Sequence, residues 1–165
     1  MAARDRRQEL LDRQLASGCP ATLFLSLNIP GTDKHPPGVE ALFAWALARL
    51  KVLFPDLITL SKAIDYLGPY ALLALHQEAL SVKQQCMALE TSHPAARLID
   101  LDVYDQNGTQ LGRSALALPP RPCLVCHQPA FDCIRLGRHR MEEVVEIVEQ
   151  LLMDFSLQTQ ALFTL

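Results

Sequence analysis

LIDLDVYDQNGTQLGRSAL, residues 98–116, is the stretch that decides the fold of this chain. Two runs with spaced aliphatics flank Gln106-Asn107-Gly108, and Asn-Gly between such runs is the strongest short hairpin signal. The spacing predicts strands over 98–105 and 109–116. In the first strand, residues two apart share a face, with Cα atoms roughly 6.5–7 Å apart. Ile99, Leu101 and Val103 then fill a face that can be buried, while Asp100 and Asp102 stand side by side on the other.

Outward from this hairpin the elements fall into order. Residues 4–16 read as an amphipathic helix with Leu10, Leu11 and Leu15 on one side. ATLFLSLNI (21–29) reads as a buried strand ended by Pro30-Gly31. Pro36 and Pro37 stand at the entrance of a helix over 38–54, which is apolar nearly all round and expected to pack on two sides. LITLSKAI (57–64) and YALLAL (70–75) read as strands about a Gly-Pro turn. A helix over 78–91 presents Leu80, Met87 and Cys86 inward. The sum is an α+β fold: a split β-α-β-β-α-β core with an extra C-terminal hairpin strand. A Cys-rich loop (118–140) follows, then a final amphipathic helix. In that helix Met141, Val144, Val145, Val148, Leu151, Leu152 and Phe155 keep helical spacing, and Glu142, Glu143, Glu146 and Glu149 take the other side. At 165 residues, one domain over 1–165 is expected.

Composition narrows the function. The net charge is −3, which excludes bulk attraction to nucleic acid or to a membrane surface. The tyrosines Tyr66, Tyr70 and Tyr104 are too scattered for a base-stacking platform. No apolar run approaches the roughly 20 residues that span a bilayer, and the N-terminus lacks a secretory pattern. Five cysteines, three of them bunched, read as reduced thiols of a cytoplasmic protein.

Two adjacent carboxylates repel wherever water is partly excluded. A divalent cation resolves that conflict: Mg²⁺ is held by one or two carboxylates while phosphates and water complete its shell. Asp-x-Asp on a strand is thus a candidate for phosphoryl or nucleotidyl transfer. A solvent-facing row on an edge strand is the other reading. Arg97 could pair with a carboxylate or hold a phosphate bidentately. His93 reads either as a general base or as a helix-end histidine. Cys123, Cys126, Cys133 and His139 could form a tetrahedral zinc site, or the thiols could lie buried under the last helix. Arg135, Arg138 and Arg140 would suit an acidic partner, or be a solvated face.

The block HPAARLIDLDVYDQNGTQLGRSALALPPRPCLVCHQPAFDCIRLGRH (93–139) resembles that of the apo-citrate lyase phosphoribosyl-dephospho-CoA transferases. The resemblance rests on His93, Pro94, Arg97, Leu98, Asp100, Asp102 and Val103. It continues through Leu118-Pro119-Pro120-Arg121, Cys123-Leu124-x-Cys126, Cys133 and His139. Arg4, Asp5 and Arg7 match a motif near the start, and Pro30, Gly31 and Lys34 one after the first strand. Ala96 departs from the family's glycine, and the chain begins almost at its arginine motif, so the first helix is expected to be shortened.

The resemblance implies transfer of the phosphoribosyl-dephospho-CoA group from 2'-(5''-triphosphoribosyl)-3'-dephospho-CoA to a serine of the citrate lyase acyl carrier (gamma) subunit, with release of pyrophosphate. It implies Asp100 and Asp102 as Mg²⁺ ligands, one of them also taking the serine proton. Gly31, Lys34, Arg97, Arg4 and Arg7 become candidates for phosphate contact. The same chemistry on the malonate decarboxylase carrier is the nearest alternative. A non-catalytic, zinc-stabilised adaptor is the alternative from another class.

Overall fold

The computed structural model describes residues 2–162; Met1 and residues 163–165 of the expected domain lie outside the described residues. Helix α1 (Ala2–Leu15) precedes β1 (Ala21–Leu27), α2 (Val39–Leu53), β2 (Ile58–Asp65) and β3 (Gly68–Leu75). Helix α3 (Ala79–Thr91), a 3₁₀ turn (Pro94–Leu98), β4 (Ile99–Asp105) and β5 (Gln110–Leu111) follow. A second 3₁₀ turn (Arg113–Leu116) leads to α4 (Ala130–Leu136) and α5 (Met141–Leu162). The strands form one antiparallel sheet in the order β2-β3-β1-β4-β5, the split β-α-β-β-α-β arrangement with its added strand.

Each face of the sheet has its own cover. Leu23, Leu25, Ala71, Leu73, Leu75, Ile99, Leu101 and Val103 point to the main core, where Leu42, Leu50 and Phe54 of the α2 region and Val82 and Cys86 of α3 meet them. Val148, Leu152 and Phe155 of α5 close the same core. On the opposite face α1 lays Leu11 over Phe24, Tyr70 and Leu72. Phe24 and Tyr70 stack at 5.6 Å, and the Arg7 guanidinium lies 4.4 Å over the Tyr70 ring.

Helix α2 is buried along Val39, Leu42, Phe43, Ala46, Leu47 and Leu50, but Ala44, Ala48 and Val52 face solvent. Its expected two-sided packing is therefore half realised: small residues and one valine make an apolar but uncovered side. Leu80 and Met141 also differ from expectation, since both are exposed while Cys86 and Met87 are buried. Gly31 and Gly38, both at positive φ, mark where the loop before α2 crosses α5. A Cβ on Gly38 would meet Leu152 at 3.1 Å, so any larger residue would push the helix away.

Strand β5 is shorter than the predicted 109–116. The Asn-Gly turn forms as expected, with Asp105 Oδ1 accepting from the Asn107 and Thr109 amides at 2.9 and 2.8 Å. Pairing stops after two residues because the outer rim of β4 is already occupied. The Leu101 carbonyl accepts from Lys83 Nζ at 2.8 Å, and its amide donates to Glu90 Oε1 at 3.2 Å. Beyond Leu111 a strand would find no free ladder partner, so the chain turns away.

Arg7 fastens α1 to the β2–β3 turn. Its Nη2 and Nε donate to Asp65 at 2.7 and 3.0 Å, and Nη2 also to the Gly68 carbonyl. Burial raises the Asp65 carboxyl, but the bonds from Arg7 and the Leu67 amide outweigh it and hold the group below its ordinary range. Such a pair stabilises fully above the unfolded value of about 3.9 and loses its contribution as pH falls through the lower folded value. Asp65→Asn is expected to flatten the acid limb of a stability–pH curve below about pH 4, read by urea unfolding at a series of pH values.

Candidate functional site

Alternation along β4 sets Asp100 and Asp102 on the face opposite the main core, across from Ser26 and Phe24 of β1. Asp102 accepts from Gln110 Nε2 at 2.7 Å, so the short β5 supplies its partner. Burial first, then the charge of Asp100, pushes the Asp102 carboxyl above its ordinary range, against the opposing pull of Gln110, Lys83 and Arg121. The nearest cation to Asp100 is Arg121, at 3.5 Å, and Arg121 is held more closely by Glu90 at 2.8 Å. Negative charge on this face is thus incompletely balanced. Its donors are carboxylate oxygens, a set that fits a hard divalent cation.

Behind the pair lie buried Lys83 and Glu90, which sequence reading missed, and the part-buried Arg121, which it quoted but gave no role. Lys83 and Glu90 are among the few buried charged residues, 6% and 4% exposed, and Arg121 reaches Glu90 from the Leu-Pro-Pro-Arg segment. Lys83 and Glu90 lie seven residues apart in the inward stripe of α3, and a charged pair inside an apolar stripe was the available signal. Burial raises the Glu90 carboxyl, opposed by the charges of Arg121 and Lys83. Lys83→Met is expected to cost about 1–3 kcal/mol, because the buried Leu101 carbonyl loses its donor. A lowered urea midpoint with unchanged slope would show it.

The cysteine segment converges. Cys126 Sγ lies 3.4 Å from Cys133 Sγ and 3.3 Å from His139 Nε2, and the ligand atoms of Cys123, Cys126, Cys133 and His139 all lie within 4.8 Å of one another. None of the cysteines is in a disulfide. The turn at Cys123 is fixed by its amide bonding to Gln128, while α4 carries Cys133 back toward it and a left-handed Gly137 redirects the chain to His139. Three thiols and an imidazole at this spacing could bind a metal such as zinc.

The other predicted residues are distributed. Arg97 donates to the carbonyls of Cys123 (2.8 Å) and Pro122 (3.4 Å), buttressing the cysteine loop. His93 accepts the Ala95 amide at Nδ1, contacts Gln158 at Nε2, and packs its ring on Trp45 and Phe155. Gly31 faces Val145 of α5, where a Cβ would stand 3.0 Å from that side chain. Lys34 Nζ donates to the Ile29 carbonyl, and Arg4 is exposed on α1. A cleft of about 800 Å³ opens beyond the β4 rim, lined by His93, Arg97, Arg113, Arg121, His127 and Glu90 together with prolines. Arg97 and His93 are therefore brought to one cleft with Arg121, whereas Gly31 lines a separate groove against the glutamates of α5.

Among the described residues no helix is long and apolar enough to cross a membrane. A family model described as apo-citrate lyase phosphoribosyl-dephospho-CoA transferase matches residues 1–155. Similar proteins include Protein CitXG of Leuconostoc mesenteroides subsp. cremoris, 33% identical over 94% of this chain and 35% of that protein. A probable apo-citrate lyase phosphoribosyl-dephospho-CoA transferase of Vibrio cholerae is 35% identical over 79% of this chain and 76% of its own length. The apo-citrate lyase phosphoribosyl-dephospho-CoA transferase of Escherichia coli O1:K1 is 28% identical over 93% and 86%. The chain thus spans about a third of the CitXG protein and most of the shorter relatives. With a match running through β4, the cysteine loop and most of α5, the chain belongs to the apo-citrate lyase phosphoribosyl-dephospho-CoA transferase family.

Proposed function

We propose that this chain transfers the phosphoribosyl-dephospho-CoA group of 2'-(5''-triphosphoribosyl)-3'-dephospho-CoA to a serine hydroxyl of the citrate lyase acyl carrier subunit. The serine oxygen bonds to the first phosphorus of the triphosphate, the bond to the next bridging oxygen breaks, and pyrophosphate leaves. The observation that carries this reading is the Asp100–Asp102 pair, two carboxylates on one strand face with incomplete balancing charge.

Asp100 and Asp102 would hold Mg²⁺, which supplies charge neutralisation on the transferred phosphoryl group. One of the two carboxylates also takes the serine proton. Gln110 fixes the Asp102 rotamer, and Arg121, braced by Glu90, sets the side of the site away from β1. Cys123, Cys126, Cys133 and His139 would hold a structural Zn²⁺, which needs reduced thiols and so fits a cytoplasmic protein. Arg135, Arg138 and Arg140, exposed beside that loop, suit the approach of an acidic carrier.

The direct test is the intact mass of apo carrier after incubation with this protein, Mg²⁺ and the triphosphoribosyl substrate. A gain equal to the prosthetic group is the expected result. No gain with folded protein and a competent carrier overturns the reading, and a gain on the malonate decarboxylase carrier alone would reassign the acceptor.

A further inference from the structure

The cleft beyond the β4 rim holds positive charge that the acid pair does not balance. Among the described residues neither Arg97 nor Arg113 has a carboxylate within ion-pair distance. Arg97 donates to backbone carbonyls through Nη2, and Arg113 to the Pro119 carbonyl through Nε, with Nη1 resting 3.9 Å from the Met87 sulfur. A guanidinium carries five N–H donors, so each has donors left over. Glu90 is the acid lining this cleft, and it is taken by Arg121 and the Leu101 amide. Much of the remaining wall is proline, which offers no N–H. The Thr91 and Ser92 hydroxyls are spent on α3 carbonyls and both His93 ring nitrogens are engaged, which leaves the guanidiniums and His127 as the side-chain donors for an anion.

We infer that this cleft is an oligophosphate site, and that it receives the pyrophosphate end of the triphosphate. The identity of the ligand rests on the transfer reading above. Arg121 joins the two places: its Nη2 approaches Asp100 at 3.5 Å, and its side chain lines the cleft. A phosphate chain whose first phosphorus lies beside Asp100 and Asp102 continues past Arg121 toward Arg113 and Arg97. When the bond to the bridging oxygen breaks, its electron pair stays on the pyrophosphate, and the guanidiniums hold that added charge. Arginine suits this role because its planar fork binds phosphate oxygens bidentately.

The test is calorimetric titration of inorganic pyrophosphate into the whole protein, with no Mg²⁺ added, so that the acid pair alone can only repel the anion. One-site binding is expected, weakened about tenfold in Arg113→Gln and retained in Asp102→Asn. Wild-type affinity in Arg113→Gln, or no binding to the unaltered protein, overturns the site. Should Arg113→Gln fail to fold, hydrogen exchange of the unaltered protein decides. Amides of Arg121 and of residues 123–128 are expected to slow on adding pyrophosphate, and unchanged exchange overturns the site. Pyrophosphate binding without transfer to the carrier sinks the transferase reading and leaves the anion site. Transfer without pyrophosphate binding does the reverse.

Discussion

Asp102→Asn is expected to lower prosthetic-group transfer by on the order of 10²–10³-fold while leaving the melting temperature unchanged or slightly higher. The two effects part company for a stated reason. An asparagine oxygen still accepts from Gln110, so the local bonding of β4 and β5 survives. The negative charge that goes is one that burial and Asp100 already disfavour, so its removal relieves the fold. Asp100→Asn should behave alike in turnover, although it also removes a partner of Arg121. Intact-mass kinetics of carrier modification beside a thermal melt make the comparison. Near-normal turnover in either variant would defeat the metal-seat assignment, and collapse of the fold would show the pair to be structural.

Cys126→Ser is expected to release one zinc per chain and to lower the melting temperature by roughly 6–12 °C, corresponding to about 3 kcal/mol in a chain of this size. Cys126 sits 3.4 Å from Cys133 and 3.3 Å from His139, so its loss opens the set at its middle. The damage would not stay local. Cys123 is tied through its carbonyl to Arg97, and Arg121 stands two residues before it, braced on Glu90. A loosened loop therefore withdraws Arg121 from Asp100, and transfer should fall with stability. Elemental analysis of protein made with zinc and reductant, followed by melts of both forms, reads the outcome. Unaltered protein that carries no zinc yet melts well above the Cys126→Ser variant would show a packed thiol cluster instead.

Local pattern carried most of the architecture. The period-2 alternation of residues 98–105 assigned the two faces of β4 correctly, and the Asn107-Gly108 turn formed where its chemistry required. The glutamate-lined spacing of 141–155 gave α5. Pattern failed where partners come from far along the chain. The length of β5 depends on Lys83 and Glu90, which occupy the rim it would have used. The placement of Met141 depends on where α5 begins to meet the core, at Val148 rather than its first turn. The site divides in the same way. Asp100 and Asp102 were legible because strand geometry alone puts them together. Arg121, Gln110 and the α3 pair were not, since only tertiary contacts bring them to β4. Cys133 and His139 join the Cys-x2-Cys pair only because the short α4 and Gly137 fold six-residue and five-residue spacers back on themselves.

The side-chain bonds along the β4 rim also govern how a partner can reach the site. Strand addition to a sheet edge needs free backbone donors and acceptors in a row. At Leu101 both are engaged, by Glu90 and Lys83, and the Ile99 carbonyl is approached by Arg121 at 3.4 Å. An extended segment of another protein cannot zip onto the sheet there. On the proposed transfer reading, a carrier serine would instead arrive at the tip of a turn or helix, descending onto the aspartate face. Recognition of such a carrier would then be a matter of side-chain surfaces rather than main-chain pairing, reading the partner's sequence instead of accepting any exposed strand.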